Sequence, residues 1–98
     1  MADAPDAAAF AGALHTTFLF AREPEPPVAL ELVEVQAAPA AAGSPGSFSV
    51  VFLGPPGPAL DQSTYPVSHP TLGEFPLFIV PTGRDGRGVR YEAIFNRM

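Results

Sequence analysis

The sequence predicts a mainly β domain: a small six-stranded antiparallel barrel or coiled sandwich with one short N-terminal helix. Three observations carry this. Six stretches alternate apolar and polar residues with period two, the spacing at which side chains share one face of a strand. Clusters of Pro and Gly separate these stretches at short intervals, as turns between strands do. Only residues 5–14 carry a helical pattern. Strands that follow one another without intervening helices point to antiparallel pairing, not to βαβ units.

The helix is predicted over PDAAAFAGAL (5–14). Asp6 is placed to accept from the first-turn N–H groups, and the alanines that follow have the highest helix propensity. Phe10 and Leu14 lie four apart and share a face. A helix this short persists only if that face docks on something. The first strand, HTTFLFAR (15–22), puts Thr16, Phe18 and Phe20 on one side, and EPEPP (23–27) is a stiff acidic connector. In VALELVEVQ (28–36) the apolar phase runs Val28, Leu30, Leu32 and then slips to Val33 and Val35. A β-bulge at Leu32–Val33 would return both halves to one core and would bend the sheet. APAAAGSPGS (38–47) has no period and reads as a flexible loop. SFSVVFL (47–53) turns Phe48, Val50 and Phe52 to one face, and GPPGP (54–58) breaks the chain again. QSTYPVSH (62–69) and EFPLFIV (74–80) are the fourth and fifth strands. Arg84–Gly88 contains the Asp-Gly pair of a tight turn. VRYEAIFN (89–96) closes the set with Val89, Tyr91, Ala93 and Phe95 inward.

Composition narrows the classes of function. At 98 residues the chain is one small domain over 1–98. It has no cysteine, which removes disulfides, thiolate nucleophiles and cysteine metal sites together. No apolar run reaches the roughly 18 residues of a membrane span. MADAPDAAAF lacks the basic start of a secretory signal, so a cytoplasmic location is expected. There is no lysine, and the net charge is −5. Residues 1–83 set eight acids against Arg22, while residues 84–98 set four arginines against Asp85 and Glu92. An acidic body is a poor partner for a phosphate backbone, so nucleic acid is not expected as a ligand.

The densest pattern is STYPVSHPTLGEFPLFIVP (63–81), with Tyr65, His69, Glu74 and four prolines. Pro70-Thr71-Leu72-Gly73 is a good turn sequence. A turn centred there sets His69 opposite Glu74, Val67 opposite Pro76 and Tyr65 opposite Phe78. Pro66 and Pro76 lack a backbone donor, which places part of the hairpin at a sheet edge. A catalytic reading makes His69 a general base oriented by Glu74, with Ser63, Thr64, Ser68 or Thr71 as nucleophile. The structural reading makes His69 a latch beside a turn. The stretch lacks the strand–turn–helix setting of an activated serine, and the structural reading accounts for more of it. His15 and His69 are far apart and show no metal-ligand spacing. Neither GSPGS (43–47) nor GRDGRG (83–88) has the helix and Lys of a phosphate loop. Asp61 with Glu74 is a bare pair of acids without a pattern around it.

From FSVVFLGPPGPALDQSTYPVSHPTLGEFPLFIVP to YEAIFNR the chain resembles a bacterial family of small stand-alone β proteins described only as a domain of unknown function. The matching positions are Phe48, Phe52, Gly54, Pro55, Gln62, Tyr65, His69, Gly73, Phe78, Pro81, Tyr91, Phe95 and Asn96. The family carries no assigned activity, and no cofactor is expected. The resemblance implies an accessory or assembly role beside phage tail-collar-like surface proteins. The expected function is therefore a non-catalytic structural or protein-interaction module. Its candidate signature is Gln62, Tyr65, His69, Gly73, Glu74, Tyr91 and Asn96, and self-association through an edge strand is an accompanying expectation. A small-molecule-binding barrel is the alternative, although eight Phe leave a six-stranded barrel little interior.

Overall fold

A computed structural model describes residues 5–22, 25–37, 48–57 and 59–95. One helix, α1 (Ala7–Gly12), precedes six strands: β1 (Thr17–Phe20), β2 (Val28–Ala37), β3 (Phe48–Gly54), β4 (Ser63–His69), β5 (Gly73–Asp85) and β6 (Gly88–Phe95). All pairings are antiparallel, and the order β1-β2-β3-β6-β5-β4 closes into a barrel. Both the fold class and the count of six strands agree with the alternation in the sequence. The expected loop at 38–47 and the candidate Asn96 lie outside the described residues.

Helix α1 begins where Asp6 accepts the Ala9 N–H at 2.9 Å, the N-cap bond its sequence calls for. It is shorter than the expected 5–14, because Asp6 is its extended cap and Ala13 already leaves helical geometry at φ −108° and ψ 13°. His15 then takes φ +67°, a left-handed conformation that turns the chain. The chain then fastens to β2: His15 N–H donates to Leu32 O at 2.7 Å, and Thr16 O accepts Leu32 N–H at 3.1 Å. Strand β1 therefore starts at Thr17 and not at His15.

The bulge in β2 lies where the phase slip places it. Leu32 pairs with Phe52 and Glu34 with Val51, so Val33 is the extra residue. Leu30 and Leu32 are fully buried and Val35 packs on the same core. Strand β5 differs from expectation, because it continues past Val80 to Asp85. Its first half is registered on β4 as far as Ile79, and from Val80 onward it is registered on β6. The change of partner lets one long strand serve two neighbours. It also leaves Gly73–Ile79 with no described partner on the side away from β4.

That end of the barrel is closed by α1. The Phe10 ring, fully buried, lies 5.5–6.1 Å from the rings of Phe18, Phe48, Phe75 and Phe95. Phe48 and Phe95 stack at 4.5 Å across the β3–β6 pair. Higher in the barrel Phe18 and Phe20 each meet the Phe52 ring edge-on at 5.2 Å, an arrangement aromatic quadrupoles favour.

Two glycines let the backbone cross tightly at the opposite end. Gly88 opens β6 at φ +150°. A Cβ built there would sit on the carbonyl oxygen of Gly54, far inside contact distance. A Cβ on Gly54 would in turn press on the Leu30 side chain. The obstruction at Gly88 is backbone, which cannot rotate away. Gly88→Ala should lower unfolding stability by about 3 kcal/mol or more, as urea denaturation followed by circular dichroism would measure. A Gly86→Ala control, with open space around its Cα, should cost about 1 kcal/mol or less.

Candidate functional site

The β4–β5 hairpin holds most of the signature residues, and its turn sets their positions. Pro70–Leu72 form the turn, and Gly73 enters β5 at φ +85°, a conformation that costs glycine little. His69 is therefore opposite Gly73, not Glu74. Every partner moves by one from the expected register: Ser68 faces Glu74, Val67 faces Phe75, Pro66 faces Pro76 and Tyr65 faces Leu77. The core decides this. Residues directly opposite in a ladder point to the same side, and Val67, Phe75, Leu77 and Ile79 are all buried. The expected register would have matched inward Val67 with Pro76, turning the apolar face of β5 outward.

His69 is buried, and both ring nitrogens are engaged. Nδ1 accepts the backbone N–H groups of Thr71 and Leu72, each at 3.2 Å. Because a backbone N–H can only donate, Nδ1 carries no proton. Nε2 then carries it and donates to Thr16 Oγ1 at 2.8 Å, while the Thr16 hydroxyl donates onward to Ala13 O. The ring also lies 4.3 Å from that of Phe18. Among the candidate hydroxyls Thr71 reaches the ring, its Oγ1 being 3.2 Å from Nδ1. It shares that nitrogen with two backbone donors. Burial pushes the imidazole below its ordinary pKa of 6.5.

The remaining signature residues do not gather around His69. Glu74 is exposed on the outer face, one position beyond the residue that pairs with His69. Tyr65 is half-buried beside Phe20, at 6.4 Å between rings. Its hydroxyl donates to Asp61 O at 2.7 Å. Burial, with the Asp61 charge adding to it, raises the phenol pKa above 10.0. Tyr91 is buried on β6, and its hydroxyl accepts the Leu60 N–H at 2.9 Å. Gln62 is exposed just before β4. The inward members thus do one kind of work. Tyr65 and Tyr91 hold the adjoining backbone of Asp61 and Leu60, and His69 holds the hairpin turn. Asp61 and Glu74, the possible acid pair, show no contact with each other among the described hydrogen bonds. Among the described residues no three His, Asp or Glu side chains cluster in a way that could hold a metal. No described helix is long and apolar enough to cross a membrane.

One feature of this region was missed in the sequence. The outer face of β1, β4 and β5 carries apolar side chains where a solvated face is usually polar. Across the strands the outward rows read Leu19–Ser68–Glu74 and Ala21–Pro66–Pro76, with Thr64–Phe78 beyond them. Leu19 is 44% exposed and Phe78 48%. A shallow open groove of about 500 Å³ runs over this face, lined by Ala21, Thr64, Pro66, Ser68, Glu74 and Pro76 among others. The signal was available as Leu19 and Phe78 at the outward phase of their strands.

The two prolines set the limits of the ladder here. Facing each other, Pro66 and Pro76 can only be a non-hydrogen-bonded pair, since neither has an N–H to exchange. Ala21 N–H donates to Pro66 O at 2.8 Å, and the reciprocal bond has no donor. Part of the hairpin is an edge, as the prolines led one to expect. Strand β4 is joined to β1 at Val67–Ser68, and the open side belongs to the first half of β5. There Pro76 removes one of the donors a pairing strand would use.

A family model described as Domain of unknown function (DUF6916) matches residues 5–95. The chain belongs to this family. The match takes in α1 and every strand, so the plug helix and the barrel are together the family's unit. No curated protein and no solved structure matches the chain.

The tyrosine roles give a graded expectation. Tyr91→Phe leaves the buried Leu60 N–H without a partner and should cost about 1–2 kcal/mol in urea unfolding. Tyr65→Phe frees only an exposed carbonyl and should cost less than about 1 kcal/mol, and Glu74→Gln should stay within about 0.5 kcal/mol of the parent.

Proposed function

We propose that this protein is a non-catalytic protein-interaction module whose docking surface is the outer face of β1, β4 and β5. The carrying observation is the apolar set Leu19, Ala21, Pro66, Pro76 and Phe78 on that face, with Leu19 and Phe78 about half exposed. Exposed apolar side chains gathered on one face mark a surface that gains by being covered. Pro66 and Pro76 add rigidity, so little side-chain freedom is lost on contact. The open side of β5, from Gly73 to Ile79, lies beside the same face.

The arrangement of the signature supports a role without chemistry. His69 spends its lone pair on the turn and its proton on Thr16. Glu74, its supposed orienting acid, is on the other side of the sheet. Inside the barrel, the space a small ligand would need is occupied by Phe18, Phe20, Phe52, Leu30 and Ile79, all fully buried. The finer assignment, an accessory to a phage-tail-like or surface assembly, rests on the sequence resemblance, and a cytoplasmic location rests on the acidic start of the sequence.

Photo-crosslinking in the native host tests the docking face. A benzophenone side chain at Phe78 or Leu19 should yield one discrete protein adduct. The same group at Gln36, exposed toward the far end of β2 and paired with β3, should yield none. Equal labelling from Gln36 and Phe78, or none from Phe78 and Leu19, would overturn the assignment.

A further inference from the structure

We propose that His69 is an acid-sensitive latch between the segment leaving α1 and the β4–β5 turn, so that protonation of its ring loosens both. The inference starts from the directions of the hydrogen bonds. Two backbone N–H groups, from Thr71 and Leu72, converge on Nδ1. A proton arriving there would point at two donors and could satisfy neither. The turn would lose the acceptor that holds it, and a charged ring would be left buried against Phe18 with two of its former partners repelled. On the other side, Nε2–H is bonded to Thr16 and through it to Ala13 O. Ala13 is the residue that ends α1, so the ring links the plug helix to the hairpin. If the ring leaves its site, that link breaks at the same time.

The charged groups around the ring do not rescue the protonated form. On the segment after α1, His15 is exposed and its Nδ1 lies 3.6 Å from Glu31 of β2. On β5, Glu74 is exposed at the outward position facing Ser68. Within α1, β1 and the turn the neighbours are Ala13, Phe18, Thr71 and Leu72, none of them charged. Neither Glu31 nor Glu74 has a hydrogen bond or ion pair to the His69 ring among the described contacts. Burial therefore acts unopposed, and it favours the neutral ring.

The direction of the pH effect follows. The released ring takes up a proton near its ordinary value of 6.5, whereas the seated ring does so only at lower pH. Between those values the open form binds more protons. Acid therefore promotes opening, and the latch is fully closed above about pH 6.5. The opening equilibrium should rise by up to about tenfold per pH unit within that window, the slope for uptake of one proton.

Amide hydrogen exchange by NMR between pH 7.5 and 5, corrected for intrinsic exchange, reads this directly. The amides of Thr71, Leu72, Phe10 and Ala13 should lose protection as the pH falls, while Val50 and Glu92 in the β3–β6 ladder keep theirs. His69→Asn places an amide oxygen where Nδ1 was, so the turn keeps an acceptor that does not titrate, and its protection should become independent of pH. His15→Gln should leave the wild-type profile unchanged. Should His69→Asn fail to fold, ring ¹⁵N shifts of the wild type serve instead. They should show the Nε2–H tautomer at pH 7.5 and a ring titration that coincides with loss of protection. Loss of protection in all strands together would overturn the latch. So would an unchanged profile, the same pH dependence in His69→Asn, or a ring that titrates without opening.

Discussion

The seating of Phe10 is the contact on which the rest of the architecture depends. Strand β5 cannot pair with β4 and β6 along its whole length. It leaves one register at Ile79 and takes up the other at Val80, and below that point the first half of β5 has no described partner toward β6. The rings of Phe75 on β5 and Phe95 on β6 are there bridged by the Phe10 ring, 6.0 and 5.5 Å from them. A six-residue helix has no stability of its own, and a barrel with an open apolar end would be wet. Each supplies what the other lacks. The family match, which takes in both α1 and the barrel, accords with this mutual dependence.

Around this plug, polar side chains fix the segments that connect the elements. Thr16 and His69 join the end of α1 to the hairpin turn, Tyr91 holds Leu60, and Tyr65 holds Asp61. Tyr91 and the His69 Nδ1 satisfy backbone N–H groups of a loop and a turn, and in the interior such groups are costly when unmet. The inward-pointing signature residues Tyr65, His69 and Tyr91 each hold a neighbouring backbone segment. The outer face, proposed above as the docking surface, leaves Leu19 and Phe78 exposed.

Much of this was legible from residue order, and the errors have a common origin. Period-two alternation located all six strands, the Asp6 cap located the helix, and the slip from Leu32 to Val33 located the bulge. These are local signals, and each reflects chemistry within a few residues. The hairpin register was misassigned by one residue because Gly73 was counted as part of the turn, when it is also the first residue of β5. The alternation of Phe75, Leu77 and Ile79 against Val67 would have corrected it. Pro66 and Pro76 announced that part of the hairpin is an edge, but the length of β5 and which strand carries the open side were not legible, since both depend on where β6 meets the sheet. For the same reason the pairing of His69 with Thr16, 53 positions away, could not be read from spacing. The apolar outer face was written in the sequence at Leu19 and Phe78, which stand at the outward phase of their strands, but the two lie far apart in sequence and only the sheet order brings them to one face.

If the barrel end is closed by Phe10, removing that ring must weaken the barrel as well as the helix. Phe10→Ala, measured by urea unfolding with ¹⁵N NMR of the half-denatured sample, tests this most directly. The account predicts a loss of about 3–5 kcal/mol, with the amides of Phe75 and Leu77 in β5 losing order together with α1. A loss of less than about 1 kcal/mol, with β5 intact and only α1 detached, would show that the barrel closes by itself and would contradict the account.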